Sequence, residues 1–152
     1  MIKHFRPAGA SDAPEEWRSL EQEVQIELTS EDPGSPIEGA LLPGRSGGWR
    51  AGGPGRQTVT LSWPAPIAIS RIRLVFEEHS HARTQEFVVR ASTVDGQREI
   101  VRQQFTFSPP GTAVEREEYA TDLAGLSQLE LTIIPAIDGG DAIATLREWR
   151  IG

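Results

Sequence analysis

In Gln57-Thr58-Val59-Thr60-Leu61-Ser62-Trp63, polar and apolar side chains alternate without a break from Thr58 on. Successive side chains on a strand point to opposite faces, so this period of two marks a half-buried β-strand. The pattern repeats outward from it. Glu23 to Leu28 alternates in the same way, and Arg71-Ile72-Arg73-Leu74-Val75-Phe76 puts Ile72, Leu74 and Phe76 on one face. Glu86 to Thr93, Glu99 to Phe107, Thr112 to Thr121, Gln128 to Ile134 and Ala144 to Ile151 complete the series. Turn residues punctuate it at Pro33-Gly34, Gly44 through Gly55, Pro64-Ala65-Pro66, Asp95-Gly96, Pro109-Pro110-Gly111 and Asp138-Gly139-Gly140-Asp141. Asp95-Gly96 between two apolar runs is a hairpin mark. No helix longer than two turns is expected. The prediction is an all-β sandwich of about eight or nine antiparallel strands, spanning 23–152 as one domain. Residues 1–22 are polar and turn-rich, an N-terminal extension that Trp17 and Leu20 are expected to pin to the sandwich.

Composition narrows the function classes. The chain has 152 residues, 38% hydrophobic and 24% charged, which suits one globular domain and not a disordered chain. Its net charge is −7, and its basic residues are all Arg except Lys3, dispersed among carboxylates. Nucleic-acid binding normally needs a basic face, so no nucleic-acid partner is expected. There is no Cys, hence no disulfide and no thiolate chemistry, and no Asn, hence no N-glycosylation. No run is apolar enough to span a membrane, and no apolar leader follows Met1-Ile2-Lys3. A cytoplasmic location and no membrane partner are the expectations.

Catalytic and metal motifs are weak. Gly44-Arg45-Ser46-Gly47-Gly48 fits the nucleophile-elbow spacing, but that chemistry needs a helix right after the Ser, and Gly-Gly-Trp-Arg-Ala-Gly-Gly-Pro follows. His79-Ser80-His81 would aim two imidazoles at one metal if it lay on a strand, yet a third ligand is lacking, and a polar loop between two strands is the favoured reading. Asp138-Gly139-Gly140-Asp141 lacks the residue order of a calcium loop and reads as a tight turn. Glu15-Glu16, Glu77-Glu78 and Glu117-Glu118 are adjacent residues, which on a strand face opposite ways and form no acid–base dyad. No enzyme, metal or cofactor is expected.

The motifs in order are similar to the discoidin, or coagulation-factor type-C, family. Ala40-Leu41-Leu42-Pro43-Gly44 through Trp49 precedes Gln57 and its strand, like that family's Ala-x-Asp-Gly, Trp and Gln. Ile69 to Leu74, then Phe87-Val88-Val89-Arg90-Ala91-Ser92-Thr93-Val94-Asp95-Gly96, resemble its next strand and hairpin. Leu129 to Ile134 and Ala144 to Ile151 resemble its closing strands. The resemblance covers about residues 24–151. It implies a galactose-binding-like jelly roll, a fold that includes family 32 carbohydrate-binding modules, which bind galactose-type sugars through end loops. Leu42 and Pro43 stand where that family has a calcium-holding Asp, so no calcium is expected there, although Glu148 matches its C-terminal Glu.

End loops on a rigid scaffold are where ligands are met. The residues expected to hold a sugar are His79, His81 and Arg83 after the strand ending near Glu77, Arg45, Trp49 and Arg50 in the Gly-rich loop, and Asp138 and Asp141. Phe107 and Pro109-Pro110 offer an apolar edge. Each has a plainer reading: Trp49 as core, Arg83 as the partner of Glu77 or Glu78, the histidines as loop polars. The leading function is a non-catalytic carbohydrate-binding module with an aromatic-lined pocket. The alternative is a cytoplasmic protein-interaction or assembly module, with a protein partner or homodimer and an exposed apolar patch.

Overall fold

A computed structural model describes residues 17–20, 24–45 and 47–152. The fold is an antiparallel β-sandwich of the jelly-roll type. Its elements, in chain order, are β1 (Gln25–Leu28), α1 (Glu38–Leu41), β2 (Trp49–Arg50), β3 (Gln57–Glu77), β4 (Arg83–Thr93), β5 (Gly96–Phe107), β6 (Val114–Ile134), β7 (Thr145–Leu146) and β8 (Glu148–Ile151).

The strand periodicity holds at nearly every position, but two of the predicted breaks are not breaks. Pro64-Ala65-Pro66 is not a turn: β3 runs through it for 21 residues. Likewise, the segments 112–121 and 128–134 belong to one 21-residue strand, β6. These two strands pair from Gln57↔Ile133 to Glu77↔Val114, with register shifts between Ser62 and Arg71. The prolines sit where the ladder skips from Ser62↔Gln128 to Ile67↔Leu126. A proline has no N–H to donate, so an unpaired bulge is where a strand tolerates it. At the next shift, from Ile67↔Leu126 to Ile69↔Leu123, Gly125 takes φ +65°, a conformation that costs glycine little.

The bend makes two layers out of one ladder. The first half of β3 and the second half of β6 lie in the order β1-β3-β6-β4-β5, while the other halves carry β8 on the far edge of β3. Phe76 of one layer meets Phe87 of the other at 5.0 Å between ring centroids. Around them Leu61, Leu74, Val89, Leu131, Trp149 and Ile151 are all fully buried. The hairpin predicted at Asp95-Gly96 joins β4 to β5, with Thr93 paired to Gly96.

The predicted closing strand 144–151 is divided at Arg147. Its first part, β7, pairs with β2, and its second, β8, pairs with β3. Of the N-terminal extension, Leu20 is buried, Trp17 lies under the Arg71 guanidinium at 3.9 Å, and the Arg18 N–H donates to the Ile151 carbonyl. The rest of 1–22, apart from Ser19, lies outside the described residues.

The β2–β7 ladder depends on Gly48. Its φ is +66°, and a Cβ there would lie 2.6 Å from the Leu146 carbonyl oxygen and 2.9 Å from Arg147 Cα, all backbone that cannot step aside. Gly47 also has positive φ but faces open space. Gly48→Ala therefore destabilises by several kcal/mol, against about 1–2 kcal/mol of backbone strain for Gly47→Ala. Urea melts of the two variants, side by side, measure the difference.

Candidate functional site

Three segments converge at one end of the sandwich. The loop 78–82 joins β3 to β4, the loop 135–144 joins β6 to β7, and β2 brings Arg50 between them. Backbone bonds hold the ends in place. Glu78 N–H donates to the Ala113 carbonyl, Ile137 N–H to Thr84, and Ala51 N–H to Ala144.

A cavity of about 500 Å³ opens where they meet, a volume within the usual range for small-molecule sites. Arg50, His81, Arg83, Asp138 and Asp141, five of the eight residues expected to hold a sugar, line it together with Glu78, Ser80 and Ile143. His79 lies next door, in a smaller cavity that also borders Trp49 and Arg50, and Arg45 lines neither. His79 Nε2 is 3.2 Å from Glu77 Oε2.

Trp49 is not an exposed platform. It is 1% exposed, and its indole N–H donates to the Ser30 carbonyl, so it serves as core. Phe107 is likewise buried, beneath the Arg83 guanidinium. Among the described residues no Trp, Tyr or Phe lines the cavity, and its apolar contact comes from Ala82, Ala136, Ala142 and Ile143. The sequence could not separate an exposed Trp from a buried one, because the Gly-rich loop around it carries no periodicity.

Arg83 is the first residue of β4 and not a loop residue. Its Nε donates to Glu78 Oε1 at 2.8 Å, and its Nη1 to the Pro135 carbonyl at 2.8 Å and to Gln85 Oε1 at 3.2 Å. One guanidinium thus fastens both cavity loops to the strand beneath them. Its side chain is 4% exposed, so breaking the Glu78 pair leaves a buried charge uncompensated, a cost of about 3–5 kcal/mol. Burial raises the Glu78 pKa, but the Arg83 hydrogen bond and charge and the Ser80 and His81 N–H groups outweigh it and hold the carboxyl below its usual range.

The sequence reading missed what lies under Arg83. Gln85 and Glu115 are both fully buried. Arg83 only donates, so it fixes the Gln85 amide oxygen towards itself and turns the amide N–H to Glu115 Oε1 at 2.9 Å. Glu115 Oε2 has no partner among the described residues. Burial pushes the Glu115 carboxyl up to about 7, and the nearby Glu117 charge adds to this, while the Gln85 bond and the Arg83 charge pull the other way. Only the alternation of β6 hinted at it, since Glu115, Glu117 and Tyr119 share the inward parity while Glu118 points out to Arg73.

In contrast, four of the polar groups that line the cavity are uncommitted. The side chains of Arg50, His81, Asp138 and Asp141 have no hydrogen bond or ion pair among the described residues. His79 and His81 sit on a loop, so the two-residue spacing does not align them as it would on a strand. Among the described residues no group of three His, Asp or Glu could hold a metal ion. The calcium place of the discoidin resemblance does not fit an ion either. Leu42 and Pro43 offer no side-chain oxygen, and Glu148 faces the guanidinium groups of Arg150 at 3.4 Å and Arg73 at 3.9 Å. Ser46 of the nucleophile-elbow pattern lies outside the described residues; Gly44 and Gly47 flank it with positive φ, and β2 follows, not a helix.

Folding holds the Glu115 proton more tightly than the unfolded chain does. Its contribution to stability is therefore complete below the ordinary value of 4.5 and is lost as the pH rises through about 7. Glu115→Gln keeps an acceptor for Gln85 and cannot ionise. Urea melts at about pH 5 and about pH 8.5 are expected to show this part of the pH dependence, roughly 3 kcal/mol, in the wild type and not in the variant.

Known structures share this architecture, although no protein-family model and no curated protein matches the chain. The family 32 carbohydrate-binding module of Clostridium perfringens NanJ, solved with galactose, superposes with a TM-score of 0.61 at 13% identity, over 89% of this chain and 97% of that one. A second Clostridium perfringens module of that family, solved with GalNAc-β-1,3-galactose, gives 0.56 at 16% identity, over 85% and 94%. The C-terminal domain of a chitobiase from Bacteroides fragilis gives 0.62 at 16% identity, over 90% and 97%. The chain thus has the discoidin-like, galactose-binding-like fold that family 32 carbohydrate-binding modules use.

Proposed function

We propose that this chain is a non-catalytic carbohydrate-binding module whose end cavity holds a neutral, galactose-type sugar. The observation that carries this reading is the uncommitted polar set of Arg50, His81, Asp138 and Asp141 around one preformed cavity. Sugar hydroxyls both donate and accept. They suit a cavity that mixes carboxylates, which only accept, with a guanidinium, which only donates. An anionic ligand fits less well, because Glu78, Asp138 and Asp141 place three carboxyl groups around the same space. Galactose is favoured over other neutral sugars by the ligands of the two Clostridium modules that share the fold.

The scaffold supports the binding role by its rigidity. Arg83 and the backbone bonds fix both loops before a ligand arrives, so little ordering cost accompanies binding. The assembly-module reading asks for an exposed apolar patch. Among the described residues the exposed large hydrophobics are Val94 in the β4–β5 turn, Val114 at the start of β6 and Ile137 in the β6–β7 loop, which do not favour that reading.

A glycan array followed by calorimetry with galactose and GalNAc, against glucose and mannose, tests the proposal. Binding of galactose or GalNAc in preference to the others is expected. A hydrogen bond to a charged group contributes about 1.5–3 kcal/mol, so Asp138→Ala and Asp141→Ala should each weaken binding roughly tenfold or more. A folded wild-type protein that binds no sugar on the array or in the calorimeter would sink the idea.

A further inference from the structure

We infer that the ligand is a sugar chain of at least three units, lying in a groove of which the central cavity is the middle; this rests on the sugar-binding reading above. The central cavity does not stand alone. On one side it shares Arg50, Glu78 and Ser80 with a cavity of about 260 Å³ that extends to His79 and Arg147. On the other it shares Ala136, Gly139, Gly140 and Ala142 with a cavity of about 270 Å³ that extends to Arg56 and Ile137. The two flanking cavities have no lining residue in common, so the three follow one another across the end of the sandwich.

Two of the four residues shared with the cavity towards Arg56 are glycines. Gly139 and Gly140 have φ +86° and +88°, and a Cβ on either would meet nothing within 4 Å. A chain can cross them against bare backbone. Any side chain at those positions would add both strain and bulk where the units must join.

The flanks also carry the right chemistry. Arg56 has no side-chain hydrogen bond or ion pair among the described residues, and it borders the same cavity as Ile137, which is 50% exposed. A donor beside an apolar surface matches the hydroxyl edge and the C–H face of a pyranose. At the opposite end, Arg147 and His79 both approach Glu77, at 3.6 and 3.2 Å, and present donors and an acceptor together. A compact monosaccharide would leave both flanks empty, whereas successive units of a chain occupy them in turn.

Calorimetry of the full chain with mono- to tetrasaccharides decides the matter, using β-1,4-galactan fragments and matched glucan, mannan and xylan series. For the series that binds, affinity should rise at least roughly tenfold from one unit to three and then level off. Arg56→Ala and Arg147→Ala should each remove the gain contributed by one flanking unit, with thermal melts confirming that both variants fold. Equal affinity for the monosaccharide and the tetrasaccharide would overturn the groove and leave the single-sugar reading standing. Binding by no member of any series would overturn both.

Discussion

The pairing of β3 with β6 is the constraint on which the molecule rests. Two strands of 21 residues remain partners along their length, yet each contributes to both layers. A flat ladder of that length would expose one apolar face. The bulges between Ser62 and Arg71 fold the ladder over on itself, so that the face carrying Leu61 closes against the face carrying Leu74 and Phe76. Four of the remaining strands complete the two layers: β1, β4 and β5 extend one, and β8 extends the other, while β2 and β7 pair apart as a two-stranded sheet.

The same bent ladder sets the position of the cavity. β3 ends at Glu77 and β6 ends at Ile134, and the loops that leave them meet at that end of the sandwich. Arg83 ties those loops together through Glu78 and the Pro135 carbonyl, and it rests on the ring of Phe107. Beneath it, Gln85 passes the orientation down to Glu115. Charged and polar groups in the interior are costly unless their partners are fixed, and here the fixed partners are what make the cavity walls rigid. The groups left without internal partners, Arg50, His81, Asp138 and Asp141, are those on the cavity surface. This division between committed and uncommitted polar groups is the structural basis for reading the end as a binding site.

Much of the fold was legible in the residue order. The burial pattern of β3 from Thr58 to Trp63 follows the sequence alternation residue by residue, whereas β4 departs from it at Val88, buried between Phe87 and Val89, and at the buried polar residues Arg83 and Gln85. The misreading at Pro64-Ala65-Pro66 has a physical cause. Proline and glycine mark interruptions of hydrogen bonding, and a bulge within a bent strand interrupts bonding just as a turn does. The site was legible only in part. Sequence proximity gathered His79, His81 and Arg83 as sugar contacts, with Arg83 read alternatively as the partner of Glu77 or Glu78, and Glu78 is the partner it has. The structure gives Arg83 to the scaffold and leaves His81 at the cavity.

What the sequence by itself determined is the alternation of side chains, and with it the all-β class, the strand faces and the polar character of the end loops. These follow from local chain geometry, which is the same wherever the strand packs. Packing between distant segments sets which loops meet, makes Trp49 core, leaves no Trp, Tyr or Phe among the described residues at the cavity, and buries Glu115 beneath Arg83 and Gln85. Those outcomes depend on contacts between residues far apart in the chain, such as Arg83 with Pro135 and Gln85 with Glu115. Strand periodicity assigns a side chain to a face, but it carries no information about which partner waits there.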